Sequence, residues 1–241
     1  MSKPVIFFLG PLQLNLFGLT IAAGIAVGLL LVRLECRRRR VRHEPVIDAL
    51  LWSVLVGIAG ARVLYVLLNL GHYLRTPLEV FMVWQGGLSF AGAVLGGVGA
   101  AYYQYRRLDT DFATLADVAA PALAAGYAVA RLGCDIYGKV TTVPWAVPVY
   151  GEFRHPVQYY SAIGAGIMFL ILWHKRKELA RGRLFALYLL LYAGLRFVVE
   201  FFRESPMLGF LSAMQVLMLA LGALALLALG STSRSRRRTV R

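Results

Sequence analysis

Seven long apolar segments dominate the sequence and limit what the chain can fold into. A helix needs about 20 mostly apolar residues to cross the hydrocarbon core of a bilayer, and several segments approach that length. With 59% hydrophobic and 16% charged residues, the 241-residue chain is too apolar for a soluble domain of this size. We therefore predict an all-α, polytopic integral membrane protein with seven transmembrane helices. The predicted spans are roughly 13–32, 47–70, 88–105, 113–133, 157–173, 184–203 and 207–230.

The net charge of +14 is unevenly distributed along the chain. Eighteen of the 26 lysines and arginines fall within 33–42, 106–107, 175–183 and 234–241, whereas the alternate loops hold few. Loops rich in Lys and Arg stay in the cytoplasm. The pattern therefore predicts an outside N-terminus and a cytoplasmic C-terminus. We interpret the arginine runs as topology anchors that contact anionic headgroups, and not as a nucleic-acid site.

The sequence predicts a simple domain organisation. Residues 1–232 are expected to form a single transmembrane helical domain, followed by a basic cytoplasmic tail at 233–241. The apolar N-terminal stretch lacks the pattern of a cleaved signal peptide and is read as part of the mature protein. Cys36 and Cys134 are too few for a disulfide scaffold or a zinc site, so no metal site is predicted.

Charged residues interrupt the sixth apolar segment. Tyr192, Arg196, Glu200 and Arg203 fall within about 80° of one helix face at 100° per residue. A charge at the bilayer centre costs about 2.5 to 3.5 kcal/mol on insertion scales, and such residues usually face the bundle interior and mark a functional path. A structural alternative is an Arg196–Glu200 pair that neutralises the helix for insertion.

Other spans add two further arginines to this set. Arg62 and Arg131 lie in or at the end of separate spans, and Glu200 and Asp117 are the candidate carboxylate partners. Four positive charges against two negative ones leave an excess that calls for an anion. Arginine suits an oxyanion because its planar fork donates to two oxygens and stays charged when buried. The abundant anion near the outer leaflet is a phospholipid headgroup.

Six motifs follow one another along most of the chain. They are VIFFLGPLQLNLFGL, GARVLYVLLN, VWQGGLSFAGAVLGG, ARLGCDIYGKVTTVPWAV, RHPVQYY and YAGLRFVVEFFRES. Together, and in this order, they resemble the motifs of the bacterial prolipoprotein diacylglyceryl transferases.

The resemblance implies a reaction of lipoprotein biosynthesis. The family transfers a diacylglyceryl group from phosphatidylglycerol to the lipobox cysteine thiol of a prolipoprotein and releases glycerol phosphate. It implies a multi-pass protein of the bacterial inner membrane, with phosphatidylglycerol, the lipobox segment and membrane lipids as partners and no cofactor. Arginines fixed around the leaving phosphate would stabilise the transition state more than the ground state.

The resemblance also implies roles for individual residues. Arg131 and Arg196 are expected to bind the phosphate, and Tyr192 to donate to the leaving oxygen. Glu200 is expected to orient Arg196 or to bond the headgroup glycerol. The candidate phosphatidylglycerol-binding residues are Arg62, Arg131, Gly138, His155, Arg196 and Arg203.

Three departures from the family pattern leave other functions open. Ala91 stands where the family has a histidine, Cys134 stands at an asparagine position, and the loop between Arg131 and Gly138 is shorter. The histidine is a candidate for activating the thiol, and alanine cannot accept a proton. A non-catalytic phospholipid-binding paralogue is therefore the first alternative. A lipid or anion transporter is the second, although the sequence lacks the internal symmetry that many transporters show.

Overall fold

In the computed structural model, residues 5–9, 12–83, 86–108, 110–149 and 151–238 are described. Within these ranges, seven helices of 16 residues or more form most of the chain, and two short helical segments lie between the second and the next long one. In chain order they are α1 Leu16–Arg39, α2 His43–Leu68, α3 Leu70–Tyr73, the 3-10 helix η1 Pro77–Phe81, α4 Phe90–Tyr105, α5 Phe112–Leu132, α6 Val157–Lys175, α7 Arg183–Glu200 and α8 Ala213–Arg238.

In the described part of the chain, three two-stranded sheets precede α1, α6 and α8, and the last two are antiparallel hairpins. Gly151 and Gly209 adopt left-handed φ angles of 82° and 74° in the turns of the last two, a conformation that costs glycine nothing. The paired strands are β1 Val5–Leu9 with β2 Leu12–Asn15, β3 Val147–Val149 with β4 Glu152–Arg154, and β5 Met207–Leu208 with β6 Leu211–Ser212.

Five of the helices are long and apolar enough to cross a membrane, namely α1, α2, α5, α6 and residues 213–230 of α8. Large apolar side chains on these helices face outward, as a lipid-facing surface requires. Leu55, Ile163 and Leu227 are 59%, 65% and 69% exposed. The other two long helices do not meet this standard, because α4 has only 16 residues and the 18 residues of α7 include three charged ones. The membrane class is thus confirmed, whereas seven spans and their orientation stay predictions.

The helix ends differ from the predicted spans where specific contacts intervene. Helix α1 continues through the basic segment because the fully buried Glu35 pairs with Arg38 at 2.6 Å and with Arg39 at 3.8 Å. Helix α7 ends at Glu200, before the predicted 203, and the backbone carbonyl of Phe202 instead accepts from Lys139 N at 2.8 Å. Helix α8 starts late because a hairpin occupies the first residues of its predicted span.

The chain divides into two compact units. The first comprises Met1–Phe7, Leu14–Val32 and Ala116–Arg241, and therefore contains α5 from Ala116 onward and α6 to α8. The second comprises Phe8–Gln13 and Arg33–Leu115, with α2 and α4. The single transmembrane domain over residues 1–232 stays a prediction. Helix α8 continues to Arg238, so the predicted tail begins inside a helix.

Glycines bring α2 and α4 into close backbone contact within the second unit. A Cβ on Gly60 would lie 2.7 Å from the carbonyl oxygen of Gly92, and one on Gly96 would lie 2.6 Å from that of Val56. Small residues allow such approach between membrane helices, where van der Waals packing drives association. The glycine-rich segment therefore serves helix packing.

The first unit has an apolar core between α5, α6 and α7. Its buried residues are Ala120, Ala124, Ala165, Met168, Leu172 and Leu184. Beside it, the fully buried Asp117 accepts hydrogen bonds from Gly182 N at 2.8 Å and Phe185 N at 2.9 Å, and so caps the start of α7.

The position of Asp117 corrects one sequence expectation. Arg196 and Glu200 lie at the opposite end of α7 from the capped turn. Arg131 lies 14 residues farther along α5, about 21 Å at 1.5 Å per residue. Asp117 therefore cannot pair with these arginines.

Candidate lipid phosphate site

Two arginines flank the carboxylate that ends α7. Glu200 Oε2 lies 3.3 Å from Arg196 Nη2 and 3.5 Å from Arg203 Nε. The Glu200 and Arg196 side chains are only 4% and 9% exposed, whereas Arg203 is 25% exposed. Arg203 lies in the turn after the helix and still contacts Glu200, so the predicted polar residues remain together although α7 ends earlier than expected.

The second carboxylate oxygen of Glu200 is held by hydroxyl groups. Ser205 Oγ donates to Glu200 Oε1 at 2.6 Å, and Ser212 Oγ approaches the same oxygen at 3.5 Å. Sequence reasoning missed both serines. For Ser212, the available signal was the pattern S-x-x-Q at residues 212–215, which is typical of a helix capping box.

Arg131 enters the same region from the last turn of α5. Its Nη1 donates to Cys134 Sγ at 3.4 Å, and its guanidinium carbon lies 5.1 Å from the centre of the Tyr127 ring. Arg203 interacts electrostatically with both Arg131 and Arg196, so the three guanidinium groups share one region. With Glu200 as their carboxylate, they retain an excess of positive charge.

Tyr192 lies in an aromatic group beside these arginines. Its ring stacks on Tyr188, with centroids 6.0 Å apart, and meets Tyr127 edge to face at 5.8 Å. Tyr192 interacts electrostatically with Arg131 and Arg196. Its hydroxyl is therefore near the two arginines that sequence reasoning assigned to the phosphate.

Within the described part of the chain, the buried Tyr127 hydroxyl lacks a hydrogen bond, and so do two buried polar atoms of the charged residues in this cluster. The latter two are Arg196 Nη1 and Glu200 Oε2, of which Glu200 Oε2 is only ion-paired. Buried polar atoms are nearly always hydrogen-bonded, and exceptions call for an explanation. A bound oxyanion with hydroxyl groups would supply partners for both.

Gly138 packs the loop that follows α5 against the end of α7. Its N–H donates to the carbonyl of His155 at 2.8 Å, and its carbonyl accepts from Arg154 Nη1 at 3.3 Å. A Cβ would lie 2.7 Å from Val157 Cγ1 and would clash with the carbonyl oxygen of Phe202. The structure thus gives Gly138 a packing role, and its contact with phosphatidylglycerol stays a prediction.

His155 belongs to a hydrogen-bonded chain beside this loop. Its Nδ1 lies 3.1 Å from the Tyr160 hydroxyl, which accepts from Trp145 Nε1 at 2.7 Å. The His155 ring also lies 5.0 Å from the Phe202 ring, edge to face. These contacts position the loop, and direct binding of lipid by His155 stays a prediction.

Arg62 has a different role from the one expected. Its Nε donates to the carbonyl of Val80 at 2.8 Å, its Nη1 to those of Gly86 and Gly87 at 2.8 and 2.9 Å, and its Nη2 to that of Glu79. The guanidinium thus donates hydrogen bonds to four backbone carbonyls. Arg62 holds the segment that precedes α4 in the second unit, and this corrects its assignment to the anion site.

Comparison with known proteins extends over nearly the whole chain. The family model described as prolipoprotein diacylglyceryl transferase matches residues 4–230. A Geobacter sulfurreducens protein named phosphatidylglycerol–prolipoprotein diacylglyceryl transferase is 39% identical over 223 residues, 87% of this chain and 85% of the relative. Proteins with the same name from Pseudoalteromonas atlantica and Coxiella burnetii are 37% and 35% identical. They cover 83% and 87% of this chain, and 75% and 85% of their own lengths. This chain therefore belongs to the prolipoprotein diacylglyceryl transferase family.

Proposed function

We propose that this protein transfers the diacylglyceryl group of phosphatidylglycerol to the cysteine thiol of a prolipoprotein lipobox in the bacterial inner membrane. The observation that carries the proposal is the buried carboxylate of Glu200, which pairs with Arg196 and Arg203, together with Arg131, which is near enough to interact electrostatically with Arg203. The names of the relatives include the same lipid and the same class of acceptor.

The reaction needs positive charge where its leaving group forms. The thiolate sulfur attacks the glyceryl carbon that bears the phosphate, a sulfur–carbon bond forms, and the carbon–oxygen bond breaks. The electron pair passes to the phosphate oxygen, the thiol proton is released, and the products are a thioether-linked lipid and glycerol phosphate. Because the phosphate gains negative charge along this path, preorganised guanidinium groups stabilise the transition state most.

The contacts of each residue indicate its role in the proposed reaction. Arg131 and Arg196 bind the phosphate, and Arg203 adds charge from the turn after α7. Glu200 orients Arg196 and Arg203, which it contacts at 3.3 and 3.5 Å. Tyr192 donates a hydrogen bond to the leaving oxygen, and no cofactor takes part.

Activation of the thiol relies on the arginines. Ala91 occupies the position of the family histidine and offers no base. A free thiol has a pKa near 8.5, so a small fraction is ionised at neutral pH. Nearby guanidinium groups favour the thiolate and increase that fraction.

The membrane arrangement is part of the proposal. Two observations support seven spans with an outside N-terminus and a cytoplasmic C-terminus. Seven long helices of the described residues lie near the seven predicted segments, and the basic residues lie in alternate loops. In that arrangement the C-terminal ends of α5 and α7 lie toward the outer leaflet. The phosphate of an outer-leaflet lipid then reaches Arg131 and Arg196 without crossing the bilayer.

The test uses purified protein, phosphatidylglycerol and a lipobox peptide, with thioether product measured by mass spectrometry. We expect Arg196→Ala to lower kcat/KM by a factor on the order of 10² to 10³, as is typical when a preorganised donor to a developing oxyanion is lost. Arg107→Ala, at an exposed site just after α4, is the control and should retain activity. Lipid binding without any thioether product would contradict the proposal and support the non-catalytic paralogue that Ala91 suggests.

A further inference from the structure

Gln215 carries a buried amide group that the packing does not explain. It lies in the first turn of α8 and is 2% exposed. Its Oε1 accepts from Ser212 N at 2.9 Å, and Ser212 Oγ accepts from Gln215 N at 3.2 Å, which together form a capping box. Its Nε2 has no hydrogen-bond partner among the described residues. A buried donor without a partner loses the hydrogen bonds that it makes with water, and this destabilises the folded state.

The unpaired amide borders the arginine cluster. Ser212 bonds Gln215 and also places its hydroxyl 3.5 Å from Glu200 Oε1, so both side chains adjoin one serine. Glu200 Oε2 and Arg196 Nη1 are likewise buried and without hydrogen bonds. Two donors without a hydrogen-bond partner, Gln215 Nε2 and Arg196 Nη1, and one acceptor held only by ion pairs, Glu200 Oε2, therefore lie in one region of the first unit.

This set of groups matches a diol. Resting on the proposed function, we infer that Gln215 and Glu200 bind the terminal glycerol of the phosphatidylglycerol headgroup. Gln215 Nε2 donates to one hydroxyl oxygen, and Glu200 Oε2 accepts from the other hydroxyl while Arg196 binds the phosphate. Gln215 is thereby a specificity-determining residue of the lipid site.

The same groups disfavour an ethanolamine headgroup. A hydroxyl both donates and accepts, whereas a primary ammonium only donates. Phosphatidylethanolamine would therefore leave Gln215 Nε2 unpaired, and a site that loses a buried hydrogen bond discriminates against the analogue. The capping box accounts for Oε1 and for the Gln215 N–H, but it gives the buried Nε2 no acceptor.

Two variants separate the cap from the proposed contact. Gln215→Glu keeps the cap, because glutamate is the other residue that a capping box uses at this position. It replaces the Nε2 donor with an oxygen that accepts from an ammonium. Gln215→Met has a similar length and removes both amide groups without adding charge. Gln104→Met and Gln104→Glu, on α4 of the second unit, are the matched controls.

The experiment compares phosphatidylglycerol with phosphatidylethanolamine as donor to the same lipobox peptide, and records kcat/KM and the thermal midpoint of each variant. We expect the preference for phosphatidylglycerol to fall about tenfold in Gln215→Met, the size of one hydrogen bond. It should fall further in Gln215→Glu, and the Gln104 variants should keep the wild-type ratio.

An unchanged ratio in folded Gln215 variants overturns the inference. Equal losses with both lipids, accompanied by a lower thermal midpoint, mean that Gln215 acts only through the cap and also overturn it. If the wild-type protein forms no thioether at all, the proposed function fails instead. The ratio of the two lipids retained by the purified protein, measured by native mass spectrometry, then still tests the headgroup contact.

Discussion

At the residue scale, Glu200 provides the negative charge that helps to stabilise the arginines at the ends of apolar helices. Two serine hydroxyls lie against its Oε1, and two guanidinium groups lie within 3.5 Å of its Oε2. An unpaired charge in a buried site is strongly destabilising. Glu200 lowers that cost by pairing with two of the three guanidinium groups, and an excess of positive charge remains for the proposed phosphodiester.

Ala91 leads to a prediction about pH. Without a histidine base, the wild-type rate should rise about tenfold per pH unit up to the pKa of the acceptor thiol, near 8.5. The family resemblance predicts that Ala91→His, which restores the family histidine, makes the rate level off above about pH 6.5, the ordinary pKa of an imidazole. The measurement is kcat/KM against pH with the lipobox peptide.

Ala91 lies exposed in the first turn of α4, so a larger side chain can be accommodated there. Ala101→His, exposed farther along the same helix, is the control for adding an imidazole and should keep the wild-type profile. A wild-type rate that is flat between pH 6 and 8 would show that another group already serves as the base.

At the element scale, α5 determines where α7 starts. Asp117 on α5 bonds two backbone N–H groups in the first turn of α7, across 65 and 68 residues of sequence. A carboxylate at a helix N-terminus satisfies donors that have no intrahelical partner and interacts favourably with the helix dipole. Since Arg131 is on α5 and Arg196 on α7, this contact also sets the register of the two helices that carry the site.

We expect Asp117→Ala to lower the free energy of unfolding by about 2 kcal/mol or more, because two partly buried N–H groups lose the buried carboxylate that accepts from them. Thermal unfolding in detergent measures the change. Asp111→Ala is the matched control. Asp111 is only half-buried and caps the start of α5 by accepting from Thr114 N at 3.0 Å, so its loss should cost less. An equal or larger effect in Asp111→Ala would show that burial of Asp117 adds nothing.

At the scale of the whole molecule, charge placement predicts the orientation in the membrane. Basic residues lie in alternate loops, and the bilayer retains such loops on the cytoplasmic side. The native Cys36 and Cys134 are both buried, so a cysteine introduced at the surface can be labelled selectively.

Cysteine labelling measures this orientation. A membrane-impermeant maleimide should label Thr142→Cys, in the loop between α5 and α6, in cells whose inner membrane is intact. It should label Lys177→Cys, in the basic loop after α6, only after permeabilisation. Both native side chains are exposed. The reverse labelling pattern would contradict an outside N-terminus and the placement of the phosphate site toward the outer leaflet.

The helices and part of the site were predictable because their signals are local. Among the described residues, seven long helices lie near the predicted segments, because a run of apolar residues indicates a helix in each segment separately. The stripe of Arg196, Glu200 and Arg203 follows from helical spacing alone. Contacts between distant segments carry no such signal. The sequence analysis accordingly missed three such contacts. They are the hydrogen bonds of Arg62 to backbone carbonyls, the capping of α7 by Asp117, and the hydrogen bonds of two serines to Glu200.

By itself, the sequence determined the membrane class, the positions of the helices and the residues that carry charge into them, because these depend on composition and on spacing along one helix. Only the tertiary structure decided which charges meet. Arg131 joins Arg196 and Arg203, whereas Arg62 bonds carbonyls of its own unit. The physical reason is that a guanidinium in an apolar surrounding takes whichever acceptors lie within hydrogen-bond reach, and the packing of the chain places those acceptors.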